Sequence, residues 1–111
     1  MSVTFNQYLL IGVKLDIDII DYDKYEDYVD IGYKEVKSKD GLTLIYDGMS
    51  GEYAFVGQVL KRSDTDLPFE EGGFALDSPN RTLLNRLSKL ITEHFNITEP
   101  KIRIWVITHY H

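Results

Sequence analysis

Cysteine is absent from the 111-residue chain, and proline occurs only three times. Without cysteine the protein has no disulfide framework, no thiolate zinc site and no cysteine nucleophile. This composition fits a reducing compartment, and we expect a cytoplasmic location. No apolar run approaches the roughly 18 residues that a membrane-spanning helix needs. No basic segment followed by an apolar core is visible at the N-terminus either. We therefore expect no signal peptide and no membrane partner.

Catalytic and cofactor motifs are also lacking. The stretch Gly48-Met49-Ser50-Gly51 is not a phosphate-binding loop, because the lysine and the helix of that motif do not follow it. An EF-hand loop counted from Asp16 or from Asp21 would place an acid at the sixth position, where calcium binding needs glycine. Acid and base pairs drawn from so many aspartates carry no information by themselves. We therefore expect a non-enzymatic protein with no cofactor and no bound metal.

The acidic excess is confined to one segment. The formal net charge of the chain is −6, and residues 16–30 contain seven acids against one base, Lys24. One interpretation is a solvated acidic face that aids solubility, and the other is a surface for a basic partner. Such a surface could occupy a nucleic-acid-binding groove by imitating phosphates, whereas direct binding to nucleic acid is disfavoured. The candidate partner-binding acids are Asp16, Asp18, Asp21, Asp23, Glu26, Asp27 and Asp30.

The first half of the chain contains signals for three elements. Alternating apolar residues predict a strand over residues 8–19, and tyrosines at helical spacing predict a short helix near 23–31. A loop to Gly41 and a strand over 42–46 follow. Asp47-Gly48 then opens a tight turn, because aspartate bonds its own backbone and glycine tolerates positive φ.

The second half repeats the pattern of strand, helix and strand. A strand over residues 53–61 contains Gly57, which suggests a bulge or a close contact. After a polar loop over 63–77, Ser78-Pro79 predicts a helix that ends near Asn96. A last strand runs over 101–108.

This order of elements predicts one α+β domain over residues 1–111 with the ferredoxin-like βαββαβ plan. Right-handed crossovers place both helices on one face of a four-stranded antiparallel sheet, with the first and third strands in the centre. If the helices cover Ile102, Ile104 and Val106, the other face is open. That face would carry Leu10, Gly12, Lys14, Tyr53, Phe55, Arg103, Trp105, Ile107 and His109. We expect this aromatic patch to be used in association, for example in a homodimer, or to lie under the 63–77 loop.

Two further site hypotheses come from short patterns. Tyr53-Ala54-Phe55-Val56 resembles part of the aromatic motif of RNA-recognition domains, which implies base stacking on the open face as an alternative function. The basic residue and glycine that precede the motif there are replaced by Gly51 and Glu52. His109 and His111 would face the same side of a strand, close enough to share a metal. The sequence spacing does not identify a third metal ligand, and we expect both histidines to be exposed at this terminus.

Several stretches of the chain resemble small uncharacterised proteins of tailed bacteriophages. They are Gly12-Val13-Lys14, Tyr46-Asp47-Gly48-Met49, Gly51 with Tyr53, Gly57 with Val59-Leu60, and Thr108-His109-Tyr110. The resemblance implies a setting in an infected bacterial cytoplasm, where accessory proteins divert host factors or blunt host defences. It implies no catalytic residues.

We therefore expect an accessory protein that binds and modulates or inhibits a host protein. It would use the acidic segment, the open face with Tyr53, Phe55 and Trp105, or both. The alternatives are a small-molecule or nucleotide-binding protein or small enzyme with a pocket under the 63–77 loop, and a structural subunit.

Overall fold

The computed structural model describes residues 4–30, 38–63, 69 and 73–111. It confirms the α+β class and a four-stranded antiparallel sheet, with strand order β2-β3-β1-β4. The first and third strands occupy the centre, as the sequence predicts. The strands are β1 (Phe5–Leu15), β2 (Thr43–Tyr46), β3 (Ala54–Arg62) and β4 (Arg103–Tyr110), and the helices are α1 (Tyr22–Tyr25) and α2 (Arg81–Phe95).

The acidic segment forms short turns instead of the end of a strand. The Asp16 side chain accepts a hydrogen bond from the Asp18 N–H at 3.0 Å, and this contact turns the backbone into a 3-10 turn over Ile17–Ile19. The prediction that the first strand reaches residue 19 is therefore wrong, because β1 ends at Leu15. The predicted helix near 23–31 is reduced to α1 and a 3-10 turn over Glu26–Tyr28, and residue 31 lies outside the described residues.

The long helix α2 begins two residues later than Ser78-Pro79 predicts. Asn80 is its N-cap, and the Asn80 Oδ1 accepts a hydrogen bond from the Leu83 N–H at 2.8 Å. Asn96 ends the helix in the left-handed conformation, with φ of 56°, and this end confirms the prediction. Within the described ranges, neither helix has both the length and the apolar character needed to cross a membrane.

Both helical regions pack on the same face of the sheet. Tyr25 at the end of α1 stacks on Phe95 of α2, with ring centroids 4.5 Å apart. Burial of these apolar side chains against the sheet is the main stabilising contribution on this side. The cluster comprises Tyr25, Tyr28, Val29, Leu87, Ile91 and Phe95 packed with Ile11, Val13, Leu42, Leu44, Ala54 and Val56.

The face opposite the helices is buried as well. It carries a second apolar cluster formed by Tyr8, Leu10, Ile45, Phe55 and Ile107, with Tyr53, Val59 and Trp105 packed against it. The prediction of an open, solvent-facing patch is therefore wrong for its apolar centre, because Phe55 is only 8% exposed. Lys14 and Arg103, at the margin of the predicted patch, are exposed. Ile104 and Val106 were expected to lie under the helices, and both are exposed instead.

Curvature of the sheet explains this second core. Tyr53 immediately precedes Ala54, which pairs with Leu15, whereas His109 pairs with Asn6. Residues 6 and 15 are nine positions apart, which corresponds to roughly 30 Å along a straight strand. The Tyr53 Oη and the His109 Nδ1 are nevertheless hydrogen-bonded at 2.9 Å. The sheet therefore curls until its opposite corners meet, and its concave face encloses the second cluster.

A pair of glycines permits the curl. Gly12 and Gly57 lie opposite each other in the β1–β3 pair. A Cβ atom on Gly12 would lie 2.0 Å from the Val56 carbonyl oxygen, and one on Gly57 would lie 2.1 Å from the Ile11 carbonyl oxygen. Only residues without a side chain allow the two backbones to approach so closely. The close contact predicted at Gly57 is confirmed.

Candidate functional site

A cleft of about 450 Å³ opens between the end of β1 and the chain that enters β4. It forms there because β4 begins at Arg103, opposite Gly12, while β1 continues to Leu15. The cleft has both an apolar and a charged lining, as is usual for a binding site. Its apolar lining comprises Val13, Leu15, Ile19, Ile97, Pro100 and Trp105, and its charged lining comprises Lys14, Asp16, Glu99, Lys101 and Arg103.

Trp105 forms a fixed wall of this cleft. Its indole N–H donates a hydrogen bond to the Gly12 carbonyl oxygen at 3.1 Å, and its ring contacts Phe55 with centroids 5.1 Å apart. The Lys14 ammonium lies 5.9 Å from the centroid of the Phe55 ring. Because the polar end of the indole is already satisfied, the exposed part of Trp105 offers an apolar contact to a ligand.

Ile19 borders the cleft and projects into solvent. It is 77% exposed, more than any other large apolar side chain among the described residues. The turn that presents it is held by the Ile19 N–H, which donates to the Asp16 carbonyl oxygen at 3.2 Å, and by the Asp16 side-chain cap. Sequence reasoning placed Ile19 inside a strand and missed it. The available signal was Asp16-x-Asp18, because aspartate readily caps a turn two residues ahead.

Six of the seven predicted acids are exposed, and one of them, Asp16, lines the cleft together with Ile19. Asp21 caps α1 by accepting from the Lys24 N–H at 3.4 Å. Asp27 lies 3.8 Å from the Lys39 ammonium, and this exposed ion pair leaves the local charge strongly negative. The exposed acids are Asp16, Asp18, Asp21, Asp23, Glu26 and Asp27.

Asp30 does not belong to this surface. Its carboxylate is buried, accepts a hydrogen bond from the Tyr8 hydroxyl at 2.6 Å and pairs with the Arg62 guanidinium at 3.1 Å. Burial, and then the hydrogen bond to Asp30, raise the pKa of the Tyr8 hydroxyl above its ordinary value. The prediction that Asp30 meets a partner is therefore wrong, because the carboxylate holds the inner side of the sheet together.

Of the three predicted aromatic site residues, only Trp105 lines the cleft. Phe55 lies behind it in the second core, and the half-buried Tyr53 is hydrogen-bonded to His109. The curl of the sheet removes both rings from the surface at which RNA bases would stack. The expected pocket under the 63–77 loop falls mainly on residues outside the described ranges. Of that loop, the Phe69 N–H donates to Gln7 Oε1 at 2.8 Å, and the Lys61 ammonium lies 4.6 Å from the centroid of the Phe74 ring.

His109 and His111 lie on one side of the chain, as predicted, but His109 is not exposed. The two imidazole rings are 5.8 Å apart between centroids. His109 is buried against Tyr53, and His111 contacts Asn6 and Thr4 through both ring nitrogens. Burial, and then the neighbouring His111, lower the pKa of His109 to about 4. Among the residues described, no three histidine or acidic side chains cluster in a way that could bind a metal.

Comparisons with protein-family models, with curated proteins and with solved structures found no match to this chain. The function is therefore inferred from the geometry of the chain. An exposed apolar residue, Ile19, and a fixed tryptophan wall border one cleft, and an exposed acidic segment continues along the chain from Asp16.

Proposed function

We propose that the protein is a non-enzymatic accessory protein of the tailed-bacteriophage type, which binds a host protein in the host cytoplasm and modulates or inhibits it. The partner-binding surface is the cleft beside Trp105, together with Ile19 and the exposed acids of residues 16–27. We also assign the fold to the ferredoxin-like plan. The strand order β2-β3-β1-β4, with the helices on one face, supports this assignment.

The exposure of Ile19 is the observation that carries the proposal. Ile19 is exposed on a capped turn and extends the apolar lining of the cleft, so the two form one contiguous apolar patch of the kind that marks interaction sites. It adjoins an apolar cleft and is surrounded by charged residues. An apolar centre with a polar rim is the usual anatomy of a protein–protein interface.

The charges around Ile19 define the class of partner. Asp18, Asp21 and Asp23 neighbour Ile19 in the sequence and are exposed, and Lys24 is the one basic residue between Asp16 and Asp30. Complementary potentials steer association, so the partner presents a basic surface around an apolar pocket. Because salt screens exposed charges, binding weakens as ionic strength rises. A nucleic-acid-binding protein of the host has such a basic surface.

The experiment is affinity capture from a bacterial lysate at low and at high salt. One variant, Ile19→Ser, removes the apolar centre. A second neutralises three exposed acids that cap no helix: Asp18→Asn, Asp23→Asn and Asp27→Asn. The matched control neutralises three exposed acids elsewhere: Glu52→Gln, Asp77→Asn and Glu93→Gln.

We expect the unmodified protein and the control to capture the same protein, more of it at low salt, and both test variants to lose it. Equal capture by Ile19→Ser and by the control would remove this surface from the proposal. Loss of capture in the control as well would show that only net charge matters, and would contradict a defined site.

The size of the cleft favours a second candidate, which is small-ligand binding. A volume of about 450 Å³ is typical of small-molecule sites, and Lys14, Lys101 and Arg103 could bind an anionic group. A thermal-shift screen with nucleotides and divalent metals tests this candidate. A ligand present at about 100 times its dissociation constant adds roughly 2.7 kcal/mol to the free energy of unfolding. Lys101→Ala, on the exposed rim, should abolish the shift.

A further inference from the structure

The strand β4 is the last strand of the sheet, and the Tyr53 hydroxyl occupies the end of its outer side by accepting from the Tyr110 N–H at 3.2 Å. Over residues 104–108, no strand in the described part of the chain pairs with that outer side. The opposite edge, β2, is covered by the segment after α1: Val29 forms a parallel bridge with Leu44, and the Asp30 N–H donates to the Leu44 carbonyl oxygen at 3.1 Å. At the other end of the strand order, β4 pairs with β1 on one side and is the last strand on the other. The segment after α1 therefore covers the β2 edge, whereas no described strand covers the outer side of β4.

The outer face of β4 is also apolar. Ile104, Val106 and Tyr110 are 45%, 69% and 47% exposed, and they alternate along the strand on one face with Thr108. Proteins usually protect an edge strand with lysine, proline, an inward charge or a bulge. Residues 104–110 contain no lysine, proline, aspartate or glutamate, and their pairing with β1 is regular. This strand therefore has the backbone and the side chains to accept another strand.

We infer that two copies of the chain associate by pairing their β4 strands antiparallel about a twofold axis. Two identical strands related by a twofold axis present the same surface to each other, so every contact between them occurs twice. With Val106 of each copy on the axis, Ile104 of one copy faces Thr108 of the other. Side chains of the same face then meet, and the two exposed apolar rows become one continuous patch.

Charge distribution favours a second copy as the occupant. Antiparallel pairing places Arg103 of the two copies at opposite ends of the ladder, so like charges do not meet. The acidic turn with Asp16 lies beside Arg103, at the start of β4. The Asp16 turns, where the acidic segment of each chain begins, are therefore also at opposite ends. Pairing through the acidic surface itself would bring them together.

The interface is small, which predicts a weak dimer. A ladder over residues 104–108 contains two exposed apolar side chains, Ile104 and Val106, and we expect it to bury less than the roughly 800 Å² per partner of a stable complex. The dimer should therefore appear as protein concentration rises. It leaves the cleft and Ile19 accessible, and it does not depend on the proposed host partner.

Sedimentation velocity over a concentration series tests the inference, with Val106→Lys as the edge variant and Ile19→Lys as the control. Both substitutions place the same side chain at a highly exposed position, so both variants should fold, which circular dichroism verifies. We expect unmodified protein and Ile19→Lys to dimerise alike, and Val106→Lys to remain monomeric. A monomer at all concentrations for the unmodified protein, or a dimer unaffected by Val106→Lys, would overturn the inference.

A single introduced thiol locates the contact, because the chain has no cysteine. Oxidation of Val106→Cys with diamide should produce a covalent dimer, in which two thiols lose their hydrogens to the reagent and form one disulfide. Ile19→Cys under the same conditions should give much less. Equal yields from the two positions would show random collision and contradict pairing through β4.

Discussion

Asp30 and Arg62 form an ion pair inside the protein, with side chains that are 1% and 8% exposed. The pair links the segment after α1 to the end of β3 across the concave face, and Tyr8 donates to the same carboxylate. Asp30→Asn should lower the free energy of unfolding by about 3–5 kcal/mol, because it leaves the Arg62 charge buried without its partner. Urea denaturation followed by tryptophan fluorescence measures this loss.

Asp27→Asn is the matched control for that experiment. Its carboxylate pairs with Lys39 on the surface, with both side chains at least half exposed, so its loss should cost no more than about 1 kcal/mol. If Asp30→Asn were as mild as Asp27→Asn, Asp30 would belong with the surface acids after all.

The glycine pair in the central strands gives the second prediction. Gly12→Ala should lower the free energy of unfolding by more than about 3 kcal/mol, because the new methyl group would overlap the Val56 carbonyl oxygen. Gly48→Ala is the control, since a Cβ atom there meets no atom within 4 Å. Thermal unfolding of the two variants should differ clearly. Equal stability would mean that the sheet does not need this close approach in order to curl.

The order and type of the main elements could be predicted from the sequence, because each follows from local signals. Asn96 ends α2 where a helix stop was predicted, and Asp47 with its neighbours forms the expected turn. The curl of the sheet could not be predicted, since it depends on Gly12 and Gly57 meeting across two strands. A strand pattern of period two also cannot tell a covered face from an open one, so Phe55 was misplaced.

The candidate site was predictable only in part, for a related reason. Asp16 and Trp105 were both identified, one as an acid and one as an exposed aromatic. That they border one cleft follows from β4 starting opposite Gly12, which is a matter of register. The exposure of Ile19 could not be predicted, because its alternation with Ile17 indicates a strand. The side-chain cap at Asp16 forms a turn there instead.

The hydrogen bond that joins the corners of the sheet gives a third prediction. Tyr53→Phe removes the hydroxyl that contacts His109 and that accepts from the Tyr110 N–H at 3.2 Å. We expect the free energy of unfolding to fall by about 1–2 kcal/mol. Tyr110→Phe, at a residue that is 47% exposed, should change it by much less. A larger loss of stability in Tyr110→Phe than in Tyr53→Phe would show that the contacts between the corners do not stabilise the curved sheet.

His109 gives a prediction about pH. Its pKa is lowered to about 4 in the folded protein, from an ordinary value of 6.5, so the unfolded chain binds a proton first as pH falls. The free energy of unfolding should be highest above pH 6.5 and fall by about 3 kcal/mol between pH 6.5 and 4. In His109→Gln this part of the pH dependence should disappear. Its persistence there would assign it to other groups.

Asp47 should cause a second loss of stability, at lower pH than the loss assigned to His109. Burial opposes its ionisation, but the N–H groups of Ser50, Glu52 and Met49 outweigh that effect and lower its pKa. Its contribution to stability is therefore present above pH 3.8 and is lost only as pH falls below that value. The decline assigned to His109 occurs at higher pH and can be measured by itself.

Site-specific photo-crosslinking in a bacterial lysate tests the central claim most directly. A benzophenone-bearing phenylalanine is placed at residue 19 in one protein and at residue 106 in another, two highly exposed positions on different surfaces. We predict that position 19 yields an adduct with one host protein, weakened by high salt, and that position 106 does not yield this adduct. No adduct from position 19, or the same host adducts from both positions, would contradict a partner-binding surface at Ile19.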